Sequence, residues 1–189
     1  MNRLAAPYSI HRARPEETPQ VSAVLQEAAR WLADSGKAMW NEASYTPERL
    51  QPQVEQGRFH AVREDHDIAA VVRLDDEDPL FWPEMPSGTA LYLHSLAVRR
   101  AWAGCGLPQA LLAFAAEQAR ARARPHLRLD CRADRQALRT LYEGAGFRLH
   151  SEIVLGVHRF ARYEMAVGRA AWIQSDLCFW SARCHDLLL

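Results

Sequence analysis

The chain has 189 residues, of which 49% are apolar, and it carries 23 basic and 23 acidic side chains. This length and composition suffice for one domain with a sizeable core, whereas the balanced charge excludes a basic field that recruits nucleic acid. No stretch approaches the ~20 apolar residues that span a bilayer, and the first residues lack the apolar segment of a signal peptide. The sequence therefore predicts a cytoplasmic protein without nucleic-acid or membrane partners.

The first third of the chain has the pattern of a short strand followed by two helices. Residues 8–14 alternate in polarity as a half-buried strand does. Pro15 then begins an amphipathic helix, with Gly36 at the position of a C-terminal cap. A shorter helix is predicted between an N-cap at Thr46 and a stop at Gly57.

A predicted hairpin over residues 59–63 and 68–74 precedes an acidic run at 75–78. Charge runs of this kind are usually solvated; the alternative is that two of these carboxylates, Glu77 and Asp78, bind a cationic amine. The proline-rich loop 79–86 follows. Its aromatic side chains either form one wall of a site or pack onto the surface below the loop.

The remaining elements are a central strand, a long helix, a strand, a short helix and a closing hairpin. They are predicted at 89–98, 107–124, 127–132, 136–144, and 147–155 with 158–167, with the hairpin turning at Gly156. Beyond them, an apolar stripe from Trp172 to Leu188 has helical spacing. Such a stripe either folds back onto its own domain or pairs with a second subunit, which makes a homodimer possible.

A glycine-containing turn, AGCGLP, lies between the central strand and the long helix. The first N–H groups of a helix lack helical partners, and the helix dipole favours an anion there. Gly104 and Gly106 allow the backbone to approach a ligand closely. The turn therefore indicates a phosphate site, although strand, glycine turn and helix also occur as plain architecture.

The cysteines do not have the spacing of a metal site. Cys105, Cys131, Cys178 and Cys184 lack the Cys-x-x-Cys pairs that present thiolates to zinc, so the sequence predicts no metal. Cys105 lies within the glycine turn. It is either a thiol made nucleophilic by the helix N-terminus or a small residue that fills the turn.

The order of these elements resembles the GNAT superfamily of acetyl-CoA-dependent N-acetyltransferases. The most specific segments are LYLHSLAV with AGCGLPQALL, and LRLDCRADRQALRTLYEGAGF over residues 127–147. The resemblance implies an α/β (α+β) single-domain fold over residues 1–167, and the apolar stripe beyond it predicts a helical extension at 168–189. It further implies a mixed, mostly antiparallel twisted sheet of about seven strands, flanked by about four helices and splayed between strands 4 and 5.

The resemblance also implies that acetyl-CoA is the co-substrate and assigns residues to it. The family's pyrophosphate motif, Q/R-x-x-G-x-G/A, falls on Ala103, Gly104, Cys105, Gly106, Leu107 and Pro108. Only the central glycine, Gly106, is kept. Ala103 replaces the usual glutamine or arginine. Either Arg99 or Arg100 supplies the missing cation, or both are solvated. The backbone of Leu96, Ala97 and Val98 binds the pantetheine arm, and Arg135 stands where the family often has an asparagine that holds the same arm.

Acetyl transfer to an amine requires a base, a polarised carbonyl and a proton for the departing thiolate. By resemblance, Tyr142 protonates the thiolate. His94 titrates in the neutral range and is either the base or a histidine packed in the sheet. Alternation places Tyr92 and His94 on one face of the strand, provided that no bulge intervenes. A main-chain N–H at Leu96 or Val98 polarises the carbonyl.

The acceptor side is assigned by resemblance to aromatic residues that line a pocket for a small-molecule amine: Trp31, Trp40, Tyr45, Phe81 and Trp82. Core packing explains many of these residues equally well. The predicted function is acetylation of a primary amine of a small molecule in a ternary complex. The alternatives are a CoA-binding sensor or interaction module without efficient chemistry, and acetylation of a protein amine.

Overall fold

The computed structural model describes residues 8–168, in which strands and helices follow the predicted order. The strands are β1 Ile10–Arg12, β2 Phe59–Glu64, β3 Asp67–Asp75, β4 Ala90–Val98, β5 His126–Arg132, β6 Arg148–Leu155 and β7 His158–Ala166. The helices are α1 Thr18–Asp34, α2 Pro47–Glu55, α3 Leu107–Ala121 and α4 Gln136–Gly144. The predicted C-terminal helix, with Cys178 and Cys184, lies outside the described residues.

The strands form one mixed sheet in the order β1-β2-β3-β4-β5-β7-β6. Pairs β1/β2, β2/β3, β5/β7 and β6/β7 are antiparallel. The β4/β5 pair is parallel, and its register covers only Ala90–Tyr92 against His126–Arg128, whereas β5 pairs with β7 as far as Arg132. The predicted fold class, with its splay between the two central strands, is confirmed.

The described residues group into two compact units, 8–74 with 95–111 and 75–94 with 112–168. In the first unit, α1 and α2 pack on the β2/β3 hairpin around an apolar core that includes Val24, Leu25, Leu50, Phe59 and Ile68. Pro15 begins a short 3-10 turn before α1, and α1 ends with Gly36 at φ +67°, as predicted. The second unit has a core of its own, with Leu127 and Leu129 of β5 and Leu138 and Leu141 of α4 buried.

A backbone irregularity interrupts the central strand β4. Ser95 has φ +50°, in the left-handed region that non-glycine residues seldom adopt. The alternation predicted for Tyr92 and His94 therefore ends at the next residue. The side chain of Ser95 is hydrogen-bonded to Tyr45, so the irregular position has a partner in the first unit.

No helix among residues 8–168 combines the length and apolar character needed to cross a membrane. The β6 strand stands at one edge of the sheet, where Leu149 and Val154 are exposed.

Candidate active site

The glycine turn before α3 has the backbone geometry of an anion site. Gly104 and Gly106 have φ of +77° and +75°, and an added Cβ at either position would meet no heavy atom within 4 Å. The helix begins here, since the N–H of Ala110 donates to the carbonyl of Gly106 at 3.1 Å. Pro108 has no N–H, so the first helical donors are those of Leu107 and Gln109.

Gly104 and Gly106 share the left-handed backbone conformation. The motif placement made from sequence puts its kept central glycine at Gly106, directly before α3 begins at Leu107, and puts Pro108 in the first turn of that helix. This placement, from Ala103 to Pro108, stays a prediction.

Several contacts within the first unit hold the turn in place. The main-chain N–H of Arg100 donates to Glu27 at 2.8 Å, and that of Arg99 donates to the carbonyl of Ala69 at 2.9 Å. The indole N–H of Trp102 donates to a carboxylate oxygen of Glu64. At the other end of the turn, the hydroxyl of Tyr8 donates to the carbonyl of Cys105.

The side chains expected to supply a cation each have a protein partner. Arg99 lies 3.6 Å from Glu27, and the guanidinium of Arg100 lies 4.5 Å from the ring centre of Trp31. Arg135, which precedes α4, lies 3.7 Å from Asp134. These contacts place the cations beside acidic or aromatic groups, and their role towards a cofactor stays a prediction.

Replacing Gly106 by alanine is expected to raise the dissociation constant for acetyl-CoA about tenfold. A residue with a Cβ pays about 1–2 kcal/mol for the left-handed conformation, so the turn either relaxes or carries strain. The measurement is isothermal titration with acetyl-CoA. Gly36→Ala is the matched control, because Gly36 also has a positive φ and open space around an added Cβ but lies at the end of α1. The affinity of this variant for acetyl-CoA should not change. Equal affinities in both variants would contradict the phosphate assignment.

A histidine and three carboxylates form the most concentrated polar cluster of the second unit. Nε2 of His94 lies 3.8 Å from Oδ2 of Asp75 and 3.6 Å from Oδ2 of Asp78. The His94 side chain is 14% exposed, and both aspartates are 7% exposed. Ligand atoms of Asp78, His94 and Asp130 all lie within 4.8 Å of one another.

The expectation that the acidic run is solvated is therefore wrong for two of its four residues. Asp75 is the buried last residue of β3, and Asp78 is turned inward because its Oδ1 accepts the N–H groups of Leu80 and Phe81 at 3.2 and 3.0 Å. Asp76 and Glu77 are exposed, as expected. Sequence reasoning missed Asp75 and Asp130, although Asp130 alternates with apolar neighbours on β5 and so belongs to the opposite face of that strand.

This cluster combines an imidazole with carboxylates close to it. Histidine exchanges a proton in the neutral range, and nearby carboxylates stabilise its charged form. The same side chains have donor types that divalent cations accept. The absence of a metal stays a prediction from sequence.

Tyr142 is buried on α4, with its ring centre 6.1 Å from that of Phe147 and 5.9 Å from that of Tyr163. Burial raises the pKa of Tyr142 well above its ordinary value, and electrostatic interactions with Cys131 and Asp130 raise it further. The hydroxyl therefore remains a proton donor at neutral pH. Asp130 acts on Tyr142 and also belongs to the His94 cluster, so both predicted catalytic side chains have one carboxylate in common.

Burial also affects the thiol of Cys131. It raises the pKa of this thiol to about 12, so the thiol is protonated at neutral pH and is not a nucleophile. Cys105, in the glycine turn, is a free and half-buried cysteine with Sγ 4.0 Å from the carbonyl of Ala103.

The predicted acceptor aromatics differ in exposure. Trp82 is 2% exposed and packs against Tyr92, which agrees with the packing alternative for its loop. Phe81 is half-buried, and its ring meets that of Phe160 edge-on at 5.1 Å. In the first unit, Trp31 and Trp40 are also half-buried. These three half-buried rings retain surface for a ligand.

A cavity of about 340 Å³ in the second unit involves none of the predicted residues. Charged side chains line most of it, and they are paired with one another: Arg139 and Arg159 lie 3.3 and 3.4 Å from Glu152, and Arg132 lies 2.7 Å from Asp134. Each of these three arginines therefore has a carboxylate partner, with Arg139 and Arg159 sharing Glu152.

Comparison with known proteins identifies the family: residues 25–147, more than half of the chain, match the model of the Acetyltransferase (GNAT) family. The chain belongs to the GNAT family and is an acetyltransferase by that membership.

Relatives and solved structures are consistent with this assignment. The uncharacterized N-acetyltransferase YesJ of Bacillus subtilis (strain 168) is 29% identical over 153 residues, covering 78% of this chain and 85% of YesJ. A GNAT-family acetyltransferase of Listeria monocytogenes 4b F2365 superposes with a TM-score of 0.72 at 22% identity, covering 87% of this chain and 99% of that one. PaiA N-acetyltransferase of Thermoplasma acidophilum, solved in complex with coenzyme A, gives a TM-score of 0.66 at 14% identity, covering 84% and 98%.

Proposed function

We propose that this protein transfers the acetyl group of acetyl-CoA to a primary amine of a small molecule, by direct attack in a ternary complex. The observation that carries the proposal is His94, held 3.6 and 3.8 Å from two buried carboxylates. A direct transfer is further supported by Cys131, whose thiol is protonated at neutral pH and so does not form an acyl-enzyme.

His94 acts as the general base. An amine with a pKa near 10.4 is mostly protonated at pH 7, and presenting it neutral costs roughly 4 to 5 kcal/mol without help. The imidazole accepts this proton directly or through water, while Asp75 and Asp78 stabilise the resulting positive charge. The carboxylate of Asp78, with Asp130 beside it, also attracts the amine in its cationic form.

Tyr142 acts as the general acid. The amine nitrogen forms a bond to the thioester carbonyl carbon, and the carbon–sulfur bond breaks. Tyr142 gives its proton to the departing sulfur, which leaves as the CoA thiol. The nitrogen loses two protons in all: His94 passes the first to solvent, and the second, lost as the amide forms, restores the proton of Tyr142. A main-chain N–H at Leu96 or Val98 stabilises the carbonyl oxygen as negative charge develops on it.

The glycine turn binds the diphosphate of the cofactor. The N–H groups at the start of α3 and the open space over Gly104 and Gly106 support this role. The backbone of residues 96–98 binds the pantetheine arm as an added strand would. Arg99, Arg100 and Arg135 contribute positive charge.

The acceptor is a small amine with an apolar or cationic part, which the half-buried rings of Trp31, Trp40 and Phe81 contact. The buried ring of Trp82 supports this side from behind. We place the reaction in the cytoplasm, with no nucleic acid or membrane as partner, and leave a homodimer through the 168–189 extension as a further expectation.

Release of free CoA across a panel of primary amines tests the proposal. We expect turnover with at least one small amine and saturation in both substrates, with intersecting double-reciprocal lines as a ternary complex requires. Parallel lines would contradict direct transfer. Turnover only with peptides that carry a free amine would favour acetylation of protein amines instead.

Thermal unfolding with acetyl-CoA is the companion measurement. A ligand at 100 times its dissociation constant stabilises the folded state by about 2.7 kcal/mol, which raises the melting temperature. A clear shift without turnover on any amine would favour the CoA-binding sensor. No shift at millimolar acetyl-CoA would exclude both CoA-dependent functions.

A further inference from the structure

The loop between β3 and β4 carries Asp78 and the aromatic pair Phe81 and Trp82. We propose that Arg162, on β7, is a positioning residue that holds this loop so that Asp78 stays beside His94. This inference rests on the proposed function, because it takes His94 as the base. It adds a residue for which the sequence analysis assigned no role.

Arg162 is a buried cation whose guanidinium group donates hydrogen bonds to the loop. Its Nη1 donates to the main-chain carbonyl of Phe81 at 2.8 Å and to Oε1 of Glu84 at 2.6 Å. Its guanidinium carbon lies 4.6 Å from the ring centre of Trp82. Nε donates to Ser151 of the neighbouring β6 strand at 2.8 Å, which ties the arginine to the sheet.

A second buried arginine contacts the same tryptophan. The guanidinium of Arg128, on β5, lies 5.1 Å from the ring centre of Trp82. It is anchored by Glu164 at 2.6 Å and by the hydroxyl of Tyr92 at 3.2 Å. Burying a cation is costly unless it is hydrogen-bonded. Two such cations, held by the sheet, therefore fix the position of Trp82 and of the loop that carries it.

Hydrogen bonds connect Phe81 and Trp82, the loop residues that Arg162 contacts, directly to Asp78. The carbonyl of Asp78 accepts the N–H of Trp82 at 2.9 Å, and its Oδ1 accepts the N–H of Phe81 at 3.0 Å. The other carboxylate oxygen, Oδ2, is the one that lies 3.6 Å from Nε2 of His94. Releasing the loop at Phe81 and Trp82 therefore lets the Asp78 carboxylate turn away from the imidazole.

The charged and titratable groups beside Arg162 and Trp82 include Glu84 of the loop, His150 of β6 and Arg128 of β5. Hydrogen bonding to its own backbone, together with Arg162 and His150, lowers the pKa of Glu84, and the imidazole of His150 lies 5.1 Å from the centre of the Trp82 ring. Asp75, Asp78 and Asp130 surround His94. The Arg162–Glu84 pair thus remains charged across the neutral range.

The test compares Arg162→Gln with Arg159→Gln, a control on the same strand whose side chain is 68% exposed and bonded to Glu152. We expect Arg162→Gln to lower kcat about tenfold or more at unchanged affinity for acetyl-CoA, Arg162→Lys to restore part of the loss, and Arg159→Gln to change kcat less than twofold. An unchanged kcat, or an equal loss of cofactor affinity, would overturn the proposal.

A double-mutant cycle separates positioning from general destabilisation. In a His94→Gln background, Arg162→Gln should cause no further loss of kcat, because the base beside which Asp78 is held is gone. Fully multiplied losses would overturn the proposal. If Arg162→Gln does not fold, Glu84→Gln takes its place, since it removes one loop contact of Arg162 and is half exposed.

A readout without turnover keeps this inference distinct from the proposed function. The imidazole NMR shifts of His94 at fixed pH should change in Arg162→Gln and not in Arg159→Gln, whatever reaction the protein catalyses. Unchanged shifts would overturn the positioning role. Changed shifts without amine acetylation would support the positioning role of Arg162 and contradict the proposed function.

Discussion

Replacing His94 by glutamine is expected to lower kcat by about 10²–10⁴-fold while leaving the affinity for acetyl-CoA unchanged. The range is that of general-base catalysis by a positioned side chain. Glutamine keeps hydrogen-bonding capacity beside Asp75 and Asp78 but does not accept the proton of an ammonium group. Steady-state CoA release, with the dissociation constant measured separately, checks the result.

A second histidine of the same unit provides the control. His126 is half-buried on β5, with Nδ1 3.3 Å from the carbonyl of Thr89 and Nε2 3.7 Å from Glu164. It lies outside the carboxylate cluster, so His126→Gln should change kcat only a few-fold. Comparable losses of kcat in both variants would show that His94 has a structural role, as in the alternative of a histidine packed in the sheet.

Replacing Tyr142 by phenylalanine is expected to lower kcat by about 10²-fold or more with little change in cofactor affinity. The substitution removes only the hydroxyl that donates a proton to the thiolate, and the ring contacts with Phe147 and Tyr163 remain. Since burial raises the pKa of Tyr142 well above its ordinary value, the acid form persists to higher pH than for a free tyrosine. The wild-type profile should therefore show no alkaline loss from this residue below about pH 10.

Tyr163→Phe is the control for this experiment. The hydroxyl of Tyr163 donates to Glu143 at 2.8 Å and accepts from Arg139 at 3.0 Å, so its removal weakens a structural network between α4 and β7. The free energy of unfolding should fall by about 1–3 kcal/mol, with kcat nearly unchanged. An unaltered kcat in Tyr142→Phe would remove Tyr142 from the mechanism.

Local pattern was sufficient for most of the fold. The N-cap at Thr46, the glycines that end α1 and α2, and the polar turn between β2 and β3 lie where chain chemistry requires them, and α4 coincides with its predicted bounds at residues 136–144. These features depend on neighbours in the chain, which the sequence displays. The left-handed backbone at Ser95 could not be predicted, because serine has no preference for that conformation and its partner Tyr45 is distant in the chain.

The candidate site divides in the same way. Gly104, Gly106 and His94 were predicted as site residues from residue type and motif, since a glycine turn and a histidine on a strand are visible in a linear chain, and Tyr142 was predicted from the family resemblance. Their protein partners were not.

The sequence by itself determined the family, the order of elements and the residue types available for acetyl transfer, because those depend on composition and short-range spacing. Only the tertiary structure decided that Asp75 and Asp78 turn inward, that Asp130 lies close to His94, and that Arg162 is hydrogen-bonded to the loop between β3 and β4. The physical reason is that burial of a charge depends on groups brought together from distant parts of the chain. A carboxylate in an acidic run has the same local sequence whether it faces water or a histidine.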